Sequence, residues 1–181
     1  MPAPVAGLDP KRVADILITG CSGGGKSTLL DELERRGHTV VREPGRRLIG
    51  AGITPWGDLR GFLDAAADMA RADLGWHEDA TRSVFYDRGL IDALAGLERD
   101  GGPTVGEALG ADRPYAGEVF LAPPWPEIYA QDLTRRHDFD AAISEYEHLA
   151  RLLPALGYEP VELPRISVAE RAQFVLDTVG A

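Results

Sequence analysis

Five short apolar runs punctuate the chain: Val13 to Thr19, His38 to Val41, Ser83 to Tyr86, Glu118 to Ala122 and Tyr158 to Leu163. Segments such as "ADILITG" and "SVFYD" are hydrophobic at nearly every position, which predicts strands covered on both faces, as in a parallel sheet between helices. Between the runs the period changes. Phe139, Ala142, Ile143, Tyr146, Leu149, Ala150, Leu153 and Leu156 recur at spacings of three and four, and Leu59, Phe62, Leu63, Ala66, Met69 and Ala70 do the same, so each segment predicts a helix with one apolar face. Ser167 followed by Glu170 is a capping box opening a last helix, with Val168, Ala172, Val175, Leu176 and Val179 inward. Strand and helix alternate throughout, predicting a doubly wound three-layer α/β/α fold whose ligands bind beyond the carboxyl ends of the strands. Proline and glycine mark connections at 44 to 57, 101 to 117 and 123 to 126, and "VVREPGRR" reads as a strand followed by a turn at Pro44 and Gly45. In "LAPPWPEIY", Pro123, Pro124 and Pro126 forbid helix until "DLTRRHDFD" resumes one.

The totals narrow the picture. A chain of 181 residues with 44% hydrophobic and 27% charged residues is of the size and composition of one globular domain. The net charge of −10 argues against a general nucleic-acid binder, which needs a basic face for backbone phosphates. Of the 19 basic residues only Lys11 and Lys26 are lysines, so a lysine inside a glycine loop stands out. The lone Cys21 excludes an internal disulfide and reads as a small packing residue. "MPAPVAGLDPKR" lacks the apolar core of a signal peptide and no run of about 18 apolar residues occurs, so the expectation is a cytoplasmic protein with no membrane partner.

The chemistry gathers at the ends of the predicted strands. Gly20, four residues, then Gly25, Lys26 and Ser27 fit G-x-x-x-x-G-K-[ST] without a mismatch, after a strand and at the start of a helix. Backbone N–H groups from Gly20, Cys21, Ser22, Gly23, Gly24, Gly25 and on to Thr28 would cradle phosphates, Lys26 would reach the β and γ phosphates, and the Ser27 hydroxyl would bind Mg²⁺. Asp87 leaves the third strand as a candidate Mg²⁺ ligand or base, and Arg88 beside it could contact the transferring group. After the second strand come Arg42, Glu43, Arg46 and Arg47, with Glu43 a candidate acceptor-side base. Arg135 and Arg136 could close over a triphosphate, since paired arginines near a helix start oppose the macrodipole and ask for an anion. His38, His77, His137 and His148 are scattered without metal-ligand spacing and read as ordinary surface or core residues.

With the phosphate loop, "VVREPGRR", "VFYDRGLIDALA", "VFLAPPWPEIYAQDLTRRHDFDAA" and "LGYEPVELPRISVAERAQFVL" in this order, the chain resembles the small NadR-like AAA ATPase family of P-loop proteins from about Val13 to Val179. That family groups with P-loop kinases of nucleosides, nucleotides and related small molecules. The resemblance implies a five-stranded parallel sheet ordered 2-3-1-4-5 and a lid at about 123 to 140 carrying Arg135 and Arg136. It also implies that Asp87 and Arg88 match the D-R pair of such kinases, that Glu43 and Arg46 match an E-x-x-R element, and that Pro164 and Arg165 lie near the nucleotide base. "REPG" is also similar to thymidylate kinases, whose glycine-threonine continuation is absent.

No N-K-x-D element selects guanine, so ATP is the expected nucleotide, together with Mg²⁺. The leading expectation is a small-molecule kinase that transfers the γ-phosphoryl of ATP to an acceptor hydroxyl or phosphate, with Asp87 or Glu43 as base. The alternatives are an ATPase or GTPase switch that signals to a protein partner, and a binding module without turnover. The acceptor pocket is expected from segments 44 to 80 and 90 to 116, where Trp56, Trp76 and Phe62 could stack on a ring.

Overall fold

The computed structural model describes residues 14–75, 83–129 and 139–181. Its five strands are β1 (Asp15–Gly20), β2 (Thr39–Val41), β3 (Val84–Asp87), β4 (Glu118–Ala122) and β5 (Glu159–Glu162). They form one sheet in the order β2-β3-β1-β4-β5, and every pairing is parallel. Parallel neighbours require crossovers, and the helices that supply them cover both faces. These are α1 (Lys26–Arg35), α2 (Pro44–Gly50), α3 (Leu59–Gly75), α4 (Leu90–Arg99), α5 (Val105–Leu109), α6 (Phe139–Ala155) and α7 (Val168–Val179). The three-layer fold expected from the alternation of elements and the strand order implied by the family resemblance are both present.

The period of two along each strand sorts the core into two halves. Leu17, Val84, Tyr86, Val119 and Leu121 face α3, α4, α5 and α6, while Ile16, Ile18, Phe85, Phe120 and Ala122 face α1 and α7. The central strands are therefore hydrophobic at consecutive positions, whereas the edge strands β2 and β5 are only partly buried.

Two of the expected irregular connections contain helices. Pro44 occupies the first helical position of α2, where its missing N–H costs nothing and its fixed φ favours the helix, so "EPGRR" is a helix start rather than a turn. In the 101 to 117 connection, Thr104 accepts from the Glu107 backbone N–H while the Glu107 carboxylate receives the Thr104 N–H, a capping box that opens α5. The proline run after β4 holds only a single 3-10 turn, Pro126–Ile128. Leu59, expected inward, is 48% exposed beside Ile53 and Trp56, because α3 begins at the rim of a cavity. Among the described residues no helix is long and apolar enough to cross a membrane.

Candidate active site

The glycine loop leaves β1 at Gly20, whose φ of 105° favours glycine and whose added Cβ would lie 2.5 Å from the Ala122 carbonyl oxygen. That close approach lets the Cys21 N–H donate to the same oxygen at 2.9 Å, anchoring the loop to β4. A Cβ on Gly23 would come 2.4 Å from the Tyr129 ring. The loop passes directly into α1, which has no side-chain cap and no acidic residue in its first turn. Its first N–H groups are thus left for an external anion.

Lys26 is almost wholly buried, and its Nζ donates to the carbonyls of Cys21 at 2.7 Å and Gly20 at 3.2 Å. Burial, aided by the Arg88 charge, lowers its pKa from 10.5 to about 8. Ser22, Gly23, Lys26, Ser27, Glu43, Arg46 and Arg88 line the recess over the loop. Thr28 points away, its Oγ1 donating to the Gly25 carbonyl at 3.1 Å on the exposed side. From beneath, the buried Arg171 of α7 donates to the Gly24 carbonyl at 3.1 Å and the Gly25 carbonyl at 3.4 Å. The C=O and the following N–H of a trans peptide point in opposite directions, so holding these carbonyls from below turns the Gly25 and Lys26 N–H groups toward the recess.

Asp87, at the carboxyl end of β3, is 2% exposed, and its Oδ1 has no hydrogen-bond partner. Burial and the Glu43 charge raise its pKa, against the pull of Lys26. An orphaned carboxylate oxygen beside an uncapped helix start and a glycine cradle fits a Mg²⁺-bearing polyphosphate. Arg88 follows in the left-handed region at φ 56°, with its N–H on the Ile18 carbonyl at 2.9 Å. Its guanidinium donates to both Glu145 oxygens, at 2.5 and 2.9 Å, and to the Gly20 carbonyl at 3.3 Å. Glu43, the residue before α2, accepts from Arg46 Nε at 3.0 Å and lies 3.8 Å from Arg88 Nε.

Asp92 completes the cluster. Thr19 Oγ1 donates to its Oδ1, the Gly89 N–H donates to its Oδ2 at 3.0 Å, and Arg88 Nη1 lies 3.7 Å away. Burial raises its pKa to about 6. The folded state therefore holds this proton more tightly than the unfolded chain, so the Asp92 contribution to stability is greatest at about pH 4 and is lost as pH rises through 6. Asp92→Asn is expected to flatten that limb. Denaturant titrations at pH 4 and pH 7 should show the wild type losing up to about 3 kcal/mol relative to the variant.

A cavity of about 480 Å³ opens beside the loop between α2, α3, α4 and α6, within the usual range for small-molecule sites. Four residues, Ser22, Glu43, Arg46 and Arg88, line both the cavity and the phosphate recess, so the two spaces are continuous. The body of the cavity is apolar, formed by residues such as Ile49, Leu63, Ala66, Ala93 and Leu149, with Trp56 and Phe62 also on its wall.

The family model for an AAA domain matches residues 15–171. The chain belongs to this AAA domain family. Among solved structures, the AAA domain protein is similar to a deoxyadenosine kinase from M. mycoides with bound dATP. The TM-score is 0.61 and the identity 13%, over 93% of this chain and 100% of that one. The same kinase with products dCMP and dCDP aligns at TM-score 0.61 and 12% identity, over 90% of this chain and 97% of that one. A shikimate kinase from Acinetobacter baumannii in complex with shikimate aligns at TM-score 0.54 and 16% identity, over 92% of this chain and 93% of that one. At these identities the likeness shows a shared P-loop kinase-like fold. No curated protein matches the sequence significantly.

The AAA domain fold thus lines one recess with Lys26, Ser27, Glu43, Arg46 and Arg88, while Asp87 is buried at the end of β3 and lines neither the recess nor the cavity. Arg42 and Arg47 turn outward instead, pairing with Asp31 and Glu34 and with Asp73 respectively. Arg165 is exposed between β5 and α7 and lines neither the recess nor the cavity. Arg135, Arg136, Trp76, His77 and His137 lie outside the described residues, as do positions 130–138 of the segment expected to form a lid. Four residues of the site have no counterpart among the sequence candidates: Asp92, Glu145, His148 and Arg171.

Proposed function

We propose that this AAA domain protein is an ATP-dependent phosphotransferase that moves the γ-phosphoryl group to a small-molecule acceptor. The observation that carries this reading is the continuity of the recess with the apolar cavity. A hydrolase needs room only for water beside the γ-phosphate, whereas here an acid and two arginines stand at the junction with a space of nucleoside size. In this reading the loop N–H groups and Lys26 hold the triphosphate, and Ser27 and Asp87 hold Mg²⁺. When bound, the cation neutralises charge on the phosphoryl oxygens.

The two candidate bases separate by position. Glu43 lines both spaces, so it is within reach of an acceptor and takes its proton. Asp87 lines neither, and its buried, unpartnered oxygen suits a cation. Asp87→Asn is accordingly expected to raise the Mg²⁺ concentration for half-maximal rate tenfold or more and to lower kcat by about 10². Glu43→Gln should lower kcat by about 10² at an unchanged Mg²⁺ requirement. Steady-state rates across a Mg²⁺ titration distinguish the assignments, and exchanged phenotypes would reverse them.

The overall reading is tested by incubating the protein with Mg²⁺-ATP and a panel of small alcohols and nucleotides. Labelled product on one of them is expected. Release of only ADP and inorganic phosphate, whatever is added, would overturn phosphotransfer.

A further inference from the structure

Resting on the phosphotransferase reading, the charges around the junction narrow the acceptor. Arg99, at the end of α4, is exposed and lines the cavity but not the recess, and the two guanidinium groups at the junction itself are already matched by carboxylates. Arg46 is held by Glu43 at 3.0 Å, and Arg88 is held by Glu145 through two bonds and flanked by Glu43 at 3.8 Å and Asp92 at 3.7 Å. Among the described residues, three carboxyl groups thus surround two arginines at the cavity mouth. A phosphate acceptor brings a charge of about −1.5 to −2 and needs arginines to receive it. Here it would have to displace carboxylates already engaged in short bonds and would then face them. A hydroxyl acceptor needs the opposite, a carboxylate to take its proton, and Glu43 supplies it.

The cavity wall adds a second constraint. His148 stands three residues beyond Glu145 on α6, about one turn along the helix, and lines the same cavity. Its Nε2 is buried without a hydrogen-bond partner, next to apolar neighbours such as Leu149. An imidazole nitrogen without a partner, in a residue that lines a largely apolar cavity, calls for a polar group from a ligand.

We propose that the acceptor is an uncharged alcohol with a largely apolar or planar body, that a phosphate group is not accepted, and that His148 hydrogen-bonds a polar edge of this molecule. In the step, the acceptor hydroxyl gives its proton to the Glu43 carboxylate as its oxygen bonds to the γ-phosphorus. The bond from that phosphorus to the β–γ bridging oxygen breaks, its electron pair leaves with ADP, and Glu43 afterwards releases the proton to water.

The test pairs uncharged alcohols with their own monophosphates: ribo- and deoxyribonucleosides, hexoses and other neutral polyols, each with Mg²⁺ and γ-labelled ATP. Label is expected on at least one neutral alcohol and on none of the monophosphates, with kcat/KM differing by at least about 10². Efficient labelling of monophosphates would overturn the inference while leaving phosphotransfer standing, and label appearing only as inorganic phosphate would overturn both. For the accepted alcohol, His148→Phe, which keeps a planar ring, is expected to raise KM about tenfold with kcat within about threefold, and His148→Gln to recover part of that loss. Calorimetric titration of the same alcohol without ATP should show the same loss of affinity. Unchanged KM and Kd in His148→Phe, with a wild-type melting temperature, would remove His148 from recognition.

Discussion

Lys26→Met is expected to lower kcat for phosphoryl transfer by about 10³ or more, because it removes the one cation of the loop that is aimed at the transferring group while leaving the chain folded. The fold survives because methionine fills the space of the lysine stem, and because a charge whose burial is costly disappears along with two bonds to the Gly20 and Cys21 carbonyls. The same burial gives a second signature in the nucleotide-free protein. With the folded pKa at about 8 and the ordinary value at 10.5, the unfolded chain binds this proton more tightly than the folded one. The penalty is therefore complete below about pH 8 and is relieved as pH rises toward 10.5. Wild type should gain stability relative to Lys26→Met across that window, by at most about 3 kcal/mol in denaturant titrations. Retained turnover in the variant would remove Lys26 from the chemistry, and parallel stability curves would show that it is not buried as a strained cation.

The second large effect is expected at Arg171. Its guanidinium meets carbonyl oxygens and the face of Trp125, 5.5 Å from the ring centroid, with its Nε left without a partner. Burial lowers its pKa. Arg171→Ala should cost about 3 to 4 kcal/mol, since it opens a void beneath the loop and strips two carbonyls of a donor, and the melting temperature should fall by about 10 °C. Arg171→Met keeps the volume and removes a buried charge that no carboxylate among the described residues matches, so its melting temperature should stay close to that of the wild type. Yet triphosphate binding should weaken about tenfold in Arg171→Met, because the loop carbonyls are no longer held down. Thermal melts and calorimetric titration with Mg²⁺-ATP check both variants. Wild-type affinity in Arg171→Met would mean that the arginine only fills space.

A residue of the site is legible in the sequence when it carries a local signature. The glycine loop does, because glycines at positive φ and a following lysine and serine are a local requirement of anion binding. Asp87, Arg88 and Glu43 are legible because each stands one or two residues beyond an apolar run, at the sheet edge where ligands bind. Asp92, Glu145 and Arg171 are hidden for a common reason: each sits inside a helical pattern where a charged residue ordinarily reads as part of the solvated flank. A sharper signal exists for two of them. Glu145 falls three residues after Ala142 and four before Leu149, and Arg171 falls three after Val168 and four before Val175. Both therefore lie on the apolar stripe of their helices, where a charge has to find a buried partner. His148 is adjacent to that stripe on α6, and nothing local marks it. The α2 helix is hidden in the sequence because proline and glycine in "EPGRR" signal a turn unless the proline stands at the first helical position.

What the sequence determines by itself is the alternation of strands and helices, the two-sided burial of the central strands and the phosphate-binding loop, since each is written in spacings of a few residues. Only the tertiary structure decides how Arg88 and Arg46 are neutralised, how Arg171 holds the loop from below, and that the recess opens into an apolar cavity with His148 on its wall. Those features depend on residues brought together from α2, α3, α4, α6 and α7 across long stretches of chain. Burial and pairing of charge are properties of that assembled neighbourhood, and no local period encodes them.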